Sequence, residues 1–216
     1  MVGIEPEIWQ IPAVDVFALI DAGDVDGLRE LLARDPGAAA ARDEQGLSAL
    51  MRASYRGDAA VLDALRAADP PLDGWDRLLA GEASGLPAPD AWSPDGFTPL
   101  HIAAFSHNAE ATRALLSAGA DPNVLATASF AQVTPLGTAA TFGATDVAAI
   151  LLDAGADTEA TADHGHTPLH AAAANGDRAL VELLLAHEAG PGARNAEGRT
   201  PADLAANDEI RALLVL

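Results

Sequence analysis

The sequence predicts an all-α solenoid of about six helix–turn–helix units including caps, with short β-hairpin fingers and one inserted segment. Two observations carry this. A Thr-Pro-apolar-alanine block occurs as "TPLHIAA", "TPLGTAA", "TPLHAAA" and "TPADLAA". Its threonines, Thr98, Thr134, Thr167 and Thr200, lie 36, 33 and 33 residues apart. After each of the first three comes a second apolar segment, "ATRALLSAGADPN", "DVAAILLDAGADTE" and "RALVELLLAHEAGPG", with leucines at helical spacing.

Each block reads as a helix start. The threonine hydroxyl can satisfy an orphan amide of the first turn. Proline at the first helical position loses no hydrogen bond, and its fixed φ suits the helix. His101 and His170 stand at the third helical position, where a side chain can bond back to the capping residue. The alanines that follow let a neighbouring helix approach closely. In two of the three second segments a glycine ends the helix, at Gly119 and Gly155.

Weaker copies run upstream. "GLSALMRASYRGDAAVLDAL" has Ser48 for threonine and Gly57 between helices, and "VDVFALIDAGDVDGLRELLARDP" begins an amphipathic first unit at Val14. "TPADLAANDEIRALLVL" is shortened, as a closing cap would be. Together, "DGFTPLHIAA…ATRALLSAGADPN" and "HGHTPLHAAAANGD…LVELLLA" resemble the ankyrin repeat. The expected organisation is an N-terminal extension over 1–13 and an array over 14–216. Within the array, 14–46 is a capping unit, 47–69 a degenerate repeat and 70–94 an insertion. Repeats follow at 95–130, 131–163 and 164–196, with a C-terminal cap at 197–216.

Two segments break the period. Residues 70–94 hold Trp75, Leu78, Leu79 and Trp92, and "GWDRLLAGE" can form one or two helical turns. Burying a tryptophan is worth roughly 5 kcal/mol at most, against ~0.6 kcal/mol for doubling a loop. The insertion is therefore expected to dock with its tryptophans buried. The finger "VLATASFAQV" is three residues longer than its neighbours, and in that unit Gly137 replaces the histidine.

Composition excludes several classes of function. The net charge of −20, with all 12 basic residues arginine, disfavours nucleic acid and anionic membrane. No apolar run reaches the length of a membrane span. "MVGIEPEIWQIPA" lacks the basic start of a secretory signal, so cytoplasm is expected. Cysteine is absent. The Arg-only, Ala-rich usage suggests GC-rich coding and a bacterial, actinobacterial-type source.

The resemblance implies a concave binding side, built from finger tips and the exposed faces of the first helices. Onto it fall Tyr55, Arg56, Phe97, Phe105, Phe130, Val133, Phe142, His164 and His166. Clustered exposed aromatics mark a binding surface, so the expected role is a non-catalytic, monomeric scaffold holding another protein. A small apolar molecule, held in a binding or enzymatic pocket under the insertion, is the alternative. A third reading docks the chain through "IWQIP". His164 and His166 would share one side of an extended finger beside Asp163, which is too few ligands for zinc. No nucleophile elbow, phosphate loop or HExxH is present, so no catalytic residue, metal or cofactor is assigned. Thr167→Ala is expected to cost ~1 kcal/mol of stability, read as a lowered denaturation midpoint.

Overall fold

The computed structural model describes residues 15–129 and 131–215. "IWQIP" and Phe130 lie outside the described residues. The chain divides into two compact units, one through Pro71 and one from Leu72.

In the first unit, α1 (Val16–Ala22) and α2 (Val25–Arg34) form one hairpin, and α3 (Ala49–Arg56) and α4 (Ala59–Ala67) another. Both first helices end on a left-handed glycine, Gly23 and Gly57. The hairpins stack with α1 on α3 and α2 on α4. Arg52 clamps the pair, donating from Nε to Asp21 at 2.9 Å and from Nη1 to Asp43 at 3.1 Å.

The second unit opens with α5 (Gly74–Leu79) and continues through α6 (Pro99–Phe105), α7 (Ala109–Ser117), α8 (Pro135–Phe142) and α9 (Thr145–Asp153). It closes with α10 (Pro168–Asn175), α11 (Arg178–Ala186), α12 (Pro201–Leu204) and α13 (Asp208–Leu214). First helices pack on first helices, α6 on α8, α8 on α10 and α10 on α12, while α7, α9, α11 and α13 form a second row. Thr98, Thr134, Thr167 and Thr200 all stand at N-caps, each followed by its proline. The alanine pairs Ala103–Ala104, Ala139–Ala140 and Ala172–Ala173 are wholly buried between rows. Leu100, Leu136 and Leu169 are buried beside them, each worth ~1.5–3 kcal/mol.

The inserted helix α5 packs against α6 and so extends the first-helix row by one member. Ser106 Oγ donates to the Leu78 carbonyl at 3.0 Å, and Asn108 Nδ2 to the Glu82 carbonyl at 2.8 Å. Leu78 is fully buried, as expected. Trp92 is not; nearly half of it meets solvent. Leu78 and these two hydrogen bonds anchor the segment, and the closure cost is small enough that Trp92 is not needed for it.

Within each unit, fingers join successive helical hairpins. Each is closed by one backbone bond between residues four apart: Asp43 to Leu47, Ser93 to Phe97, Ala162 to His166 and Asn195 to Arg199. The long finger closes over seven, from the Ala126 N–H to the Val133 carbonyl at 2.9 Å. These hairpins are too short for a strand ladder, and isolated bridges, Arg42 with Ser48 and Ala128 with Ala131, stand in its place. Successive fingers bond through main chain, Thr127 N to Gly96 O, Asp163 N to Gln132 O and Ala196 N to His164 O. Glycine is required at position 96, because a Cβ there would meet the Ala128 nitrogen at 2.7 Å.

Three helix ends depart from this economy, at Asp69 after α4, His107 after α6 and Glu188 after α11. Where Gly119 and Gly155 follow α7 and α9 with positive φ, Glu188 follows α11 at φ 64°. A left-handed residue with a Cβ costs about 1 kcal/mol. Glu188 is exposed, so Glu188→Gly is expected to raise stability by about that amount. Thermal denaturation of the two proteins checks this.

Candidate functional site

The side chain three residues after the cap does more than cap. His101 Nδ1 accepts the Thr98 amide at 3.2 Å, and its Nε2 lies 2.8 Å from the Val133 carbonyl of the next finger. A carbonyl can only accept, so Nε2 carries the proton and Nδ1 is bare. Thr98 Oγ1, 2.8 Å from Nδ1, is then the donor. His170 repeats the arrangement, with Nδ1 at 3.1 Å from the Thr167 amide and Nε2 at 3.0 Å from the Arg199 carbonyl. In both, the imidazole pins a helix start to the finger of the following unit. Gly137 offers no such pin. A Cβ there would sit 2.7 Å from Val133 Cγ2.

Phe105 and Phe142 meet across the α6–α8 joint. Their ring centroids are 4.8 Å apart at 83°, an edge-to-face pair. The register explains the meeting: Phe105 is seven residues past Thr98, and Phe142 eight past Thr134. The place eight past the cap reaches back to the preceding unit elsewhere too. Arg56 approaches Asp21 at 3.8 Å, Ser106 bonds Leu78, and Asn175 Nδ2 donates to the Ala140 and Thr141 carbonyls. Phe105 is half-buried while Phe142 keeps 49 % of its surface in solvent.

The remaining expected residues that are described lie elsewhere along the chain. Phe97 lies at the opposite end of α6 from Phe105, its ring 5.8 Å from His101. Val133 is part-buried, and its carbonyl is the acceptor for His101. Tyr55, part-buried, and Arg56, exposed, end α3 in the first unit.

His164 and His166 do not share a side of an extended finger. Asp163–Gly165 form a 3-10 turn, with His164 left-handed at φ 60° and exposed. The turn lets Asp163 face back to the long finger, where its Oδ2 accepts from Gln132 N at 2.9 Å. His166 turns inward, its ring 5.4 Å from His170 and its Nε2 accepting from Asn195 Nδ2 at 3.0 Å. Among the described residues no three His, Cys, Asp or Glu gather as metal ligands. No helix there is long and apolar enough to cross a membrane.

This geometry, capped first helices in one row, second helices in another and hydrogen-bonded fingers, has a known counterpart. A family model described as ankyrin repeats (3 copies) matches residues 70–162 and 136–216. The chain belongs to the ankyrin repeat family. The matched span begins at residue 70 and so takes in the inserted helix. No curated protein matches the chain. Ankyrin repeats are generally modules of protein–protein interaction, which makes this chain a binding scaffold.

Burial pushes His101 down to about 4, against a pull upward from the Val133 carbonyl. Burial lowers His170 as well, opposed by the Arg199 carbonyl. Both histidines are neutral at pH 7. An unfolded histidine titrates near 6.5, so between about pH 6.5 and 4 the unfolded chain binds more protons at His101. Its contribution is complete above that window and is lost as pH falls through it. His101→Gln keeps a side chain able to cap but cannot titrate. Relative to this variant, wild type is expected to lose up to about 1.4 kcal/mol per pH unit below pH 6.5. Denaturation midpoints at several pH values measure the difference.

Proposed function

We propose that the second unit holds another protein against the side formed by its fingers and first helices, with the Phe105–Phe142 pair as anchor. The observation that carries this is an aromatic pair set edge-to-face across a repeat joint while one ring stays half in water. Phe105 fixes Phe142 in place, so little side-chain entropy remains to be lost on binding. Phe97, Val133, His164 and His166 would extend this surface on the finger side, and Phe130, outside the described residues, belongs to the same proposal. In the first unit, taken by itself, Tyr55 and Arg56 at the end of α3 are the corresponding candidates. The packing of α5 beside α6, as one more member of the row, favours a protein over a small molecule roofed by the insertion. The scaffold would act as a monomer, in a bacterial cytoplasm, without cofactor or catalysis.

Phe142 is the discriminating residue, since its exposed ring can be truncated with little loss to the fold. Phe142→Ala is expected to weaken partner binding by about 2 kcal/mol or more while leaving the circular dichroism spectrum unchanged. The readout is retention of host proteins on immobilised wild type and variant. Equal retention of every protein by both would remove the pair from the binding surface.

A further inference from the structure

Beyond Phe142, and Val215 just past the last helix, two large apolar side chains of the second unit stand out in water, Trp92 at 46 % and Leu125 at 44 % exposure. They are related. Trp92 immediately precedes Ser93, whose N–H closes its finger on Phe97, and Leu125 immediately precedes Ala126, which closes the next finger on Val133. Those two fingers are tied together by the Thr127 N–H on the Gly96 carbonyl at 2.9 Å. The pair thus holds one register position on two bonded neighbours. At the same position of two other fingers stand Arg42 and Arg194, each donating to its own finger's glycine carbonyl, Gly46 at 2.9 Å and Gly198 at 2.6 Å. An arginine there folds onto the turn. Tryptophan and leucine present apolar surface instead.

The charge around them has one sign. Between Arg77 and Arg178, Arg113 is the single basic residue apart from histidine, against eleven Asp and Glu. Of these acids, only Glu82 is in an ion pair among the described residues, with Arg77. Other ion pairs of this unit lie at Arg178 and beyond, on Glu182, Glu209, Glu197 and Asp208. The apolar residues that face solvent are therefore set in a stretch whose carboxylates, Glu82 apart, have no ion pair among the described residues. An anionic partner would be repelled there, and a cationic one drawn in.

We infer that the segment received by this unit is a basic peptide, Lys- or Arg-rich with large apolar side chains, and that Trp92 and Leu125 form its second anchor. This rests on the reading that the Phe105–Phe142 surface binds protein, and it adds the partner's charge and a second foothold on the fingers. The apolar side chains supply the contact, while the surrounding carboxylates select the sign of charge.

Random 15-residue peptides displayed on phage and panned against the full chain test it. Enriched peptides should be net positive and carry at least two large apolar residues. Binding of a synthesised winner should weaken about ten-fold from roughly 50 to 300 mM salt. Leu125→Arg installs the residue type that Arg42 and Arg194 already carry, so the finger should still form, and it should cut affinity at least five-fold. Trp92→Ala should do likewise, with circular dichroism confirming the fold of both. Neutral or acidic winners, or full affinity in both variants, would overturn the inference. So would equal binding by the winner with its apolar residues changed to serine, which would mean attraction by bulk charge alone. If winners of any charge bind Phe142→Ala at full strength, the protein-binding reading of that pair fails separately.

Discussion

A neutral imidazole buried at the start of a first helix ties this fold together. A charged ring would have to shed its hydration in an apolar site, and it would present an N–H where Thr98 or Thr167 needs an acceptor. Held neutral, it has one bare nitrogen for the helix cap and one N–H for the next finger. The capping bond sets where the helix begins. The outgoing bond sets where the following finger sits. Since each finger precedes the next capping threonine, the placement of one unit is passed to its successor.

Other links between units are equally short in reach. Asn123 bonds Gly155 and Asp157 one loop ahead, Glu159 accepts from Gly190, and Thr145 donates to Asp177. All join neighbours, as expected where stability is a sum of units and their interfaces. Such an arrangement fixes geometry at the joint while leaving the chemistry of a joint open. The place eight residues past the cap shows this, being filled by a cation, a hydroxyl, an aromatic ring and an amide in turn. One of those fillings, Phe142, is also the best candidate for a partner's anchor.

Much of the fold was legible because its signals are local. Thr98, Thr134, Thr167 and Thr200 mark helix starts through residues within four positions of themselves, and their period orders the units. That register also put Phe105 and Phe142 on neighbouring repeats, though not that their rings would meet. What stayed hidden depends on main-chain atoms far along the sequence. The Val133 carbonyl that receives His101 leaves no mark on residue identity. Neither does the turn at His164, which lets Asp163 reach Gln132. The position of α5 in the first-helix row was equally unreadable, since its acceptors, the Leu78 and Glu82 carbonyls, are backbone too. Trp92 misled for a different reason. Hydrophobicity predicts that a tryptophan can be buried, not that its neighbours leave it a place.

The absent side chain at Gly137 makes the row of joints uneven. The α6–α8 joint carries the His101 pin and the aromatic pair, and the α10–α12 joint carries the His170 pin. Between them, α8 sends no imidazole forward; α10 is held by packing, by Asn175 reaching back, by Thr145 on Asp177 and by the two finger bonds between Gln132 and Asp163. The imidazole pins thus flank an interior joint held by amide, hydroxyl and finger bonds instead, so protonation of the rings in acid reaches the joints on either side and leaves the middle one untouched.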